Sequence, residues 1–220
     1  MVTGPAQGQE LTASDWFDKG NALYDLGDYT EAIQCYGEAI RIDPQLVDVW
    51  YNKGLAYYHQ GDYTEAIKCY DEVIRINPQY IEAWSDKGVA LDDLGDYAEA
   101  IKCYDEAIGI NPQHADAWNN KGLALYGLGN YIEAIKCYDE VIRIDPRYAK
   151  AWLNKGVALY NQGDYTETIK CYDETIRIDP QYAPAWSNKG YALKALGRTS
   201  EANTTYARAR ELGYCYDEKG

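Results

Sequence analysis

Phenylalanine and methionine are nearly absent from this chain, with one of each in 220 residues. A core built without them needs other large side chains, and 23 Tyr and six Trp are what the sequence offers. Rings with a polar tip bury well only where that tip finds a partner or water. Histidine is nearly as scarce. His59 and His114 occupy unrelated places, with no recurrent Ser, Cys or Asp beside them, which leaves no frame for a histidine-based nucleophile or metal centre. No Cys-x-x-Cys pair and no glycine-rich phosphate loop occurs. We therefore expect a non-catalytic chain without metal or cofactor.

No run of 18 apolar residues is present, so nothing reads as a membrane span. The opening MVTGPAQGQELTAS lacks the basic flank and apolar centre of a secretory signal, and a cytoplasmic protein is expected. Cations are under-represented: 21 Lys plus Arg stand against 35 Asp plus Glu, a net charge of −14. That balance repels nucleic acid and anionic membranes and attracts basic partners, besides keeping an open surface soluble.

What the sequence has in plenty is one sentence repeated. Its tryptophans fall at 16, 50, 84, 118, 152 and 186, each 34 residues after the last. Gly20, Gly54, Gly88, Gly122, Gly156 and Gly190 keep that step, as do Pro44, Pro78, Pro112, Pro146 and Pro180. A fixed period of this size marks a solenoid whose units bury their apolar faces against neighbours. Within the second unit, Trp50 to Gln60 reads as one helix, and Gly61 is suited to end it. Asp62 caps a second helix from Tyr63 to about Ile76, with Glu65 placed for a capping box, and Pro78 stops it. Lys68 with Glu72, and Asp71 with Arg75, are expected as i,i+4 pairs on its exposed side.

The set Trp50, Gly54, Tyr57, Ala66, Tyr70, Val73 and Pro78 on this period resembles the tetratricopeptide repeat. The resemblance gives units 13–46, 47–80, 81–114, 115–148, 149–182 and 183–216, behind a loose leader 1–12 and ahead of a tail 217–220. It implies an all-α, right-handed superhelical α-solenoid of helix-turn-helix repeats. The last unit departs from the pattern: Asn203 replaces Ile, and Thr204, Thr205, Arg208 and Arg210 make its second helix wetter, as a cap requires. The lysine before each glycine (Lys19, Lys53, Lys87, Lys121, Lys155 and Lys189) also departs from it. These stems are expected to lie along the interface with their ammonium groups on neighbouring carboxylates; a basic ladder touching a ligand is the alternative.

Cys35, Cys69, Cys103, Cys137 and Cys171 share the period, and Cys215 lies outside it. Equivalent positions on stacked helices sit roughly 8–10 Å apart, too far for disulfides. Free, buried thiols are expected.

Tetratricopeptide arrays bind peptides along the inner wall made by their first helices, and the resemblance maps that wall onto offsets from each Trp. One residue on lie Phe17, Tyr51, Ser85, Asn119, Leu153 and Ser187, and two on lie Asp18, Asn52, Asp86, Asn120, Asn154 and Asn188. Five on lie Asn21, Leu55, Val89, Leu123, Val157 and Tyr191; eight on lie Tyr24, Tyr58, Asp92, Tyr126, Tyr160 and Lys194. An asparagine amide offers both donor and acceptor to a peptide bond of any sequence. The row is similar to the asparagine ladder in the tetratricopeptide arm of the enzyme that transfers N-acetylglucosamine to serine and threonine. The amides can equally serve to hold one helix to the next. The family's two-carboxylate clamp for chaperone tails maps onto Phe17, Asn21, Asn52, Glu82 and Asp86, where its cations are missing and two acids would repel such a ligand. The expected ligand is an extended, basic peptide or protein segment. End-to-end self-assembly, or service as the recognition arm of a larger enzyme, are the alternatives.

Overall fold

The computed structural model describes residues 11–214; residues 1–10 of the expected leader 1–12, Cys215 at the end of the last expected unit, and the expected tail 217–220 lie outside them. These residues form α-helices and short turns, with no strand among them. In chain order the helices are α1 (Ala13–Asp25), α2 (Tyr29–Ile42), α3 (Val47–Gln60), α4 (Tyr63–Ile76), α5 (Ile81–Asp93), α6 (Tyr97–Ile110), α7 (Ala115–Gly127), α8 (Tyr131–Ile144), α9 (Ala149–Gln162), α10 (Tyr165–Ile178), α11 (Ala183–Ala195) and α12 (Thr199–Glu211). The chain divides into two compact units, 1–103 and 104–220, with the boundary inside α6. In the first, successive helices from α1 to α5 pack on one another; in the second, successive helices from α7 to α12 do the same. None of the described helices is long and apolar enough to cross a membrane.

The local signals act as their chemistry dictates. Gly61 takes φ +82°, in the left-handed region, and the Asp62 N–H reaches back to the Tyr57 carbonyl at 2.9 Å. Asp62 then caps α4 by accepting the Glu65 N–H at 3.2 Å. Thr12 and Asp15 form a full capping box on α1, so the last residue of the expected leader belongs to the first helix's cap. After α4 the chain turns extended at Asn77, as a residue before proline must. The Trp84 indole then donates to the Pro78 carbonyl at 3.0 Å. The same bond recurs from Trp50, Trp118, Trp152 and Trp186 to the proline six residues earlier. Tryptophan and proline, met in the sequence as separate markers, thus form one latch.

Within each unit the hairpins pack a second-helix tyrosine under a first-helix glycine. Tyr36, Tyr70, Tyr138 and Tyr172 are at most 2% exposed. A Cβ on Gly54 would stand 2.6 Å from Cε1 of Tyr70, so only glycine lets the two helices approach this closely. Small neighbours (Ala32, Ala66, Ala134) complete the fit. In α12, Asn203 and Arg210 are exposed where earlier repeats carry isoleucine, leaving a wet outer face.

The expected i,i+4 pairs are not the ones formed. Lys68 pairs backwards with Glu65, and Arg75 with Glu72 at 2.8 Å, both one turn apart at i,i+3. Asp71 is thereby left for Lys87 of the following repeat, at 2.6 Å. Lys121–Asp105, Lys155–Asp139 and Lys189–Asp173 repeat that rung at 2.5 Å. Each of these lysines is only about 21% exposed, its stem lying along the interface as expected, and its ammonium also stands near a tryptophan in three cases (5.5–5.9 Å for Lys87, Lys121 and Lys155). Gly37 occupies the carboxylate's place opposite Lys53, which stands over the Trp50 and Tyr57 rings at 5.6 and 5.9 Å.

Candidate functional site

In residues 11–103 the candidate side chains project from α1, α3 and α5. Asn52 donates to the Asn21 Oδ1 at 2.9 Å, and the Tyr36 hydroxyl donates to the same oxygen at 2.9 Å. That acceptor is fully used. The Asn21 amide nitrogen and the Asn52 carbonyl oxygen form no bond among the described residues. The Tyr51 hydroxyl donates to Asp86 at 2.7 Å and the Tyr58 hydroxyl to Asp93 at 2.7 Å. Burial, reinforced by these carboxylates, pushes both phenols well above their ordinary range. Tyr24 packs on Tyr29 at 5.4 Å and on His59 at 5.7 Å, and burial raises its phenol too. Asp92 is half-buried on α5, while Asp18, Asp48 and Glu82 are exposed.

In residues 104–214 the candidates sit on α7, α9 and α11. Asn154 donates to Asn119 at 3.1 Å, and Asn119 donates to Asn120 at 3.3 Å, a chain of amides anchored on an Asn119 that is 6% exposed. Asn161 donates to the Tyr126 hydroxyl at 2.9 Å, and Tyr148 donates to Asp116 at 2.6 Å. Tyr160 and Asn188 instead line a cavity of about 340 Å³ with Val157, Tyr172 and Tyr191.

The two units therefore bring the amides together in different ways, and in both the amides also stitch neighbouring first helices. Sequence reasoning missed the rule behind the stitching. Tyr51–Asp86, Tyr58–Asp93, Tyr126–Asn161 and Asn119–Asn154 are all 35 residues apart, one more than the period. A scan for complementary polar residues at that spacing would have found them.

Other sequence candidates take structural places. Cys35, Cys69, Cys103, Cys137 and Cys171 are buried and unbridged. Burial pushes the Cys69 thiol up to about 12 and those of Cys137 and Cys171 up to about 11, which leaves them poor nucleophiles. His114 caps α7 through Nδ1, which accepts the Ala117 N–H at 3.2 Å, and exposed His59 stacks on Tyr29. Among the described residues no three His, Cys, Asp or Glu gather to hold a metal ion.

Stacked helical hairpins latched by Trp and Pro define an all-α solenoid. Family models agree: the TPR repeat matches residues 20–61, and tetratricopeptide-repeat models match 47–80, 85–148 with 120–183, and 171–202. The chain belongs to the tetratricopeptide-repeat family. A search of curated proteins finds no match. Among solved structures it is similar to MamA at 25% identity, covering 73% of this chain and 94% of that one with a TM-score of 0.70. YrrB, described as a TPR protein with an unusual peptide-binding site, shares 22% identity over 79% of this chain and 89% of its own, at a TM-score of 0.68. A tetratricopeptide protein from Parabacteroides merdae ATCC 43184 shares 20% over 90% and 79%, with a TM-score of 0.79.

Proposed function

We propose that this protein is a non-catalytic interaction scaffold that holds an extended, basic peptide or protein segment against its first helices. The observation that carries the basic preference is the charge of the first unit. Residues 1–103 hold 19 carboxylates against seven cations, while residues 104–220 hold 16 against 14. The first unit thus carries −12 of the total −14. On its first-helix face Asp18, Asp86 and Asp92 stand beside amides that keep one open hydrogen-bonding group each. Carboxylates attract lysine and arginine side chains, and an amide pairs with peptide backbone whatever the sequence. In the second unit Asn120 and Asn154 keep the same half-open state: Asn120 is used only as an acceptor and Asn154 only as a donor. The alternative of end-to-end stacking is disfavoured by exposed Asn203 and Arg210 on the last helix.

Binding of a fluorescent Lys/Arg-rich peptide, followed by polarisation at rising salt, tests the reading. Affinity should drop steeply with salt, and changing both Asp86 and Asp92 to Asn should weaken it about tenfold at low salt. Asn120→Ala with Asn154→Ala should weaken a neutral extended peptide as well. Salt-independent binding, or binding untouched by all four changes, defeats the proposal.

A further inference from the structure

The cavity on α9, α10 and α11 differs from its counterpart one repeat earlier in a way that points to a ligand. In the earlier repeat the polar groups are spent within the protein: Asn154 donates to Asn119, and the Tyr126 hydroxyl accepts from Asn161. One repeat on, Leu153 stands where Asn119 stood and Ala195 where Asn161 stood. Asn188 and Tyr160, the equivalents of Asn154 and Tyr126, are left without those partners and form no hydrogen bond among the described residues. Tyr172 joins them on the cavity wall. It is 2% exposed, and its hydroxyl likewise has no partner among the described residues. Asn188 and Tyr160 are half-buried, so these are polar groups with no partner among the described residues on the wall of a water-accessible cavity, where a ligand can take the place of water.

The walls describe that occupant. Val157 and the faces of Tyr160 and Tyr191 supply apolar and aromatic surface, and no charged side chain is among the described residues that line the space. The occupant is therefore neutral, with a flat apolar body and a polar end. About 340 Å³ is ample for one large side chain. Phenylalanine fills the walls but leaves the amide and hydroxyls unmet, and lysine brings a charge with no counter-ion. Tyrosine meets both demands, since its ring can pack against aromatic faces and its hydroxyl both donates and accepts. We propose that this cavity is a recognition pocket for a tyrosine side chain of a bound peptide. The pocket deepens the peptide-binding reading by naming a side chain, and it rests on that reading.

Three blocked peptides, acetyl-Gly-Tyr-Gly-amide and its Phe and Lys counterparts, serve as probes, with amide resonances of the protein followed by NMR. The tyrosine peptide should shift resonances around Asn188 and Tyr191 in a saturable way and bind about fivefold more tightly than the phenylalanine peptide, the worth of one hydrogen bond. The lysine peptide should leave those resonances in place. Tyr172→Phe removes only a hydroxyl that the protein does not use, so it should fold as before and abolish the Tyr-over-Phe preference. Leu153→Asn restores the internal acceptor for Asn188 and should weaken the tyrosine peptide, with the Trp152 latch unchanged. Equal binding of all three peptides, a Phe preference, or an unchanged preference in both variants overturns the assignment. If the salt-sensitive basic peptide fails to bind while the tyrosine peptide succeeds, the basic preference falls and the pocket stands; the reverse result removes the pocket alone.

Discussion

Residues 11–103 and 104–214 are built from the same hairpin, yet they spend their surface chemistry differently. The first unit satisfies its wall tyrosines with carboxylates, Tyr51 on Asp86 and Tyr58 on Asp93. The second uses amides, Asn161 on Tyr126 and Asn154 on Asn119, and then leaves its last set unpaired around a cavity. Every one of these differences falls on a first helix, and all but the buried Asn119 on its partly exposed face, while the glycine, the tyrosine beneath it and the Trp–Pro latch are constant. The lesson is a division of labour within one period. Buried positions are fixed by packing, which tolerates little change. Wall positions are free to differ and so can encode a ligand.

The largest expected effect tests the constant half of that division. Gly54→Val and Gly156→Val each drive a side chain into a tyrosine ring, Tyr70 or Tyr172, from a Cβ position 2.6 Å away. Each should cost about 3 kcal/mol, the upper range for overpacking. Urea unfolding followed by circular dichroism measures it. A loss in one unit but not the other would mean the scaffold is not common to both.

A smaller effect separates satisfied from unsatisfied tyrosines. Tyr36 donates to Asn21, so Tyr36→Phe should cost about 1 kcal/mol. Among the described residues the Tyr70 hydroxyl is buried without a partner, because Leu55 stands where Asn21 does one repeat earlier. Tyr70→Phe should therefore be neutral or slightly stabilising, since nothing is lost and a buried polar atom is removed. Equal losses at both sites would show that the Asn21 bond contributes nothing.

Much of this was legible beforehand, and the reasons differ by residue. Period, helix ends and hairpin core were readable because Gly61, Asp62 and Pro78 act through local backbone chemistry that needs no neighbour. The buried face was readable because Ala66 and Tyr70 repeat at helical spacing. The partners of Lys68 and Asp71 were not. An i,i+4 rule applied within one helix cannot see that Lys87, sixteen residues on, competes for Asp71 and wins it. The wall residues were named from the resemblance, but their dual use was hidden. A side chain's spacing tells which face it lies on, whereas the atom it bonds depends on the residue 35 positions away.

The smallest effect tests that competition directly. The rung from Lys to the preceding hairpin's Asp is present at Lys155–Asp139 in the second unit and at Lys87–Asp71 in the first, but missing where Gly37 faces Lys53. A Cβ on Gly37 would meet nothing nearer than the Lys53 Nζ at 4.0 Å, so an aspartate has room there. Gly37→Asp replaces a poor helix former by a slightly better one, a gain of a few tenths of a kcal/mol. The new pair, half-exposed like its equivalents, adds a similar amount. The total should be about 0.5 kcal/mol, and Asp139→Gly should lose about as much from the second unit. Salt distinguishes the two contributions. The ion-pair share should fade by 1 M NaCl while the helix share stays. If Gly37→Asp gains nothing at low salt, the four rungs seen elsewhere are geometry without energy, and the lysines are held in place by their stems and the tryptophans alone.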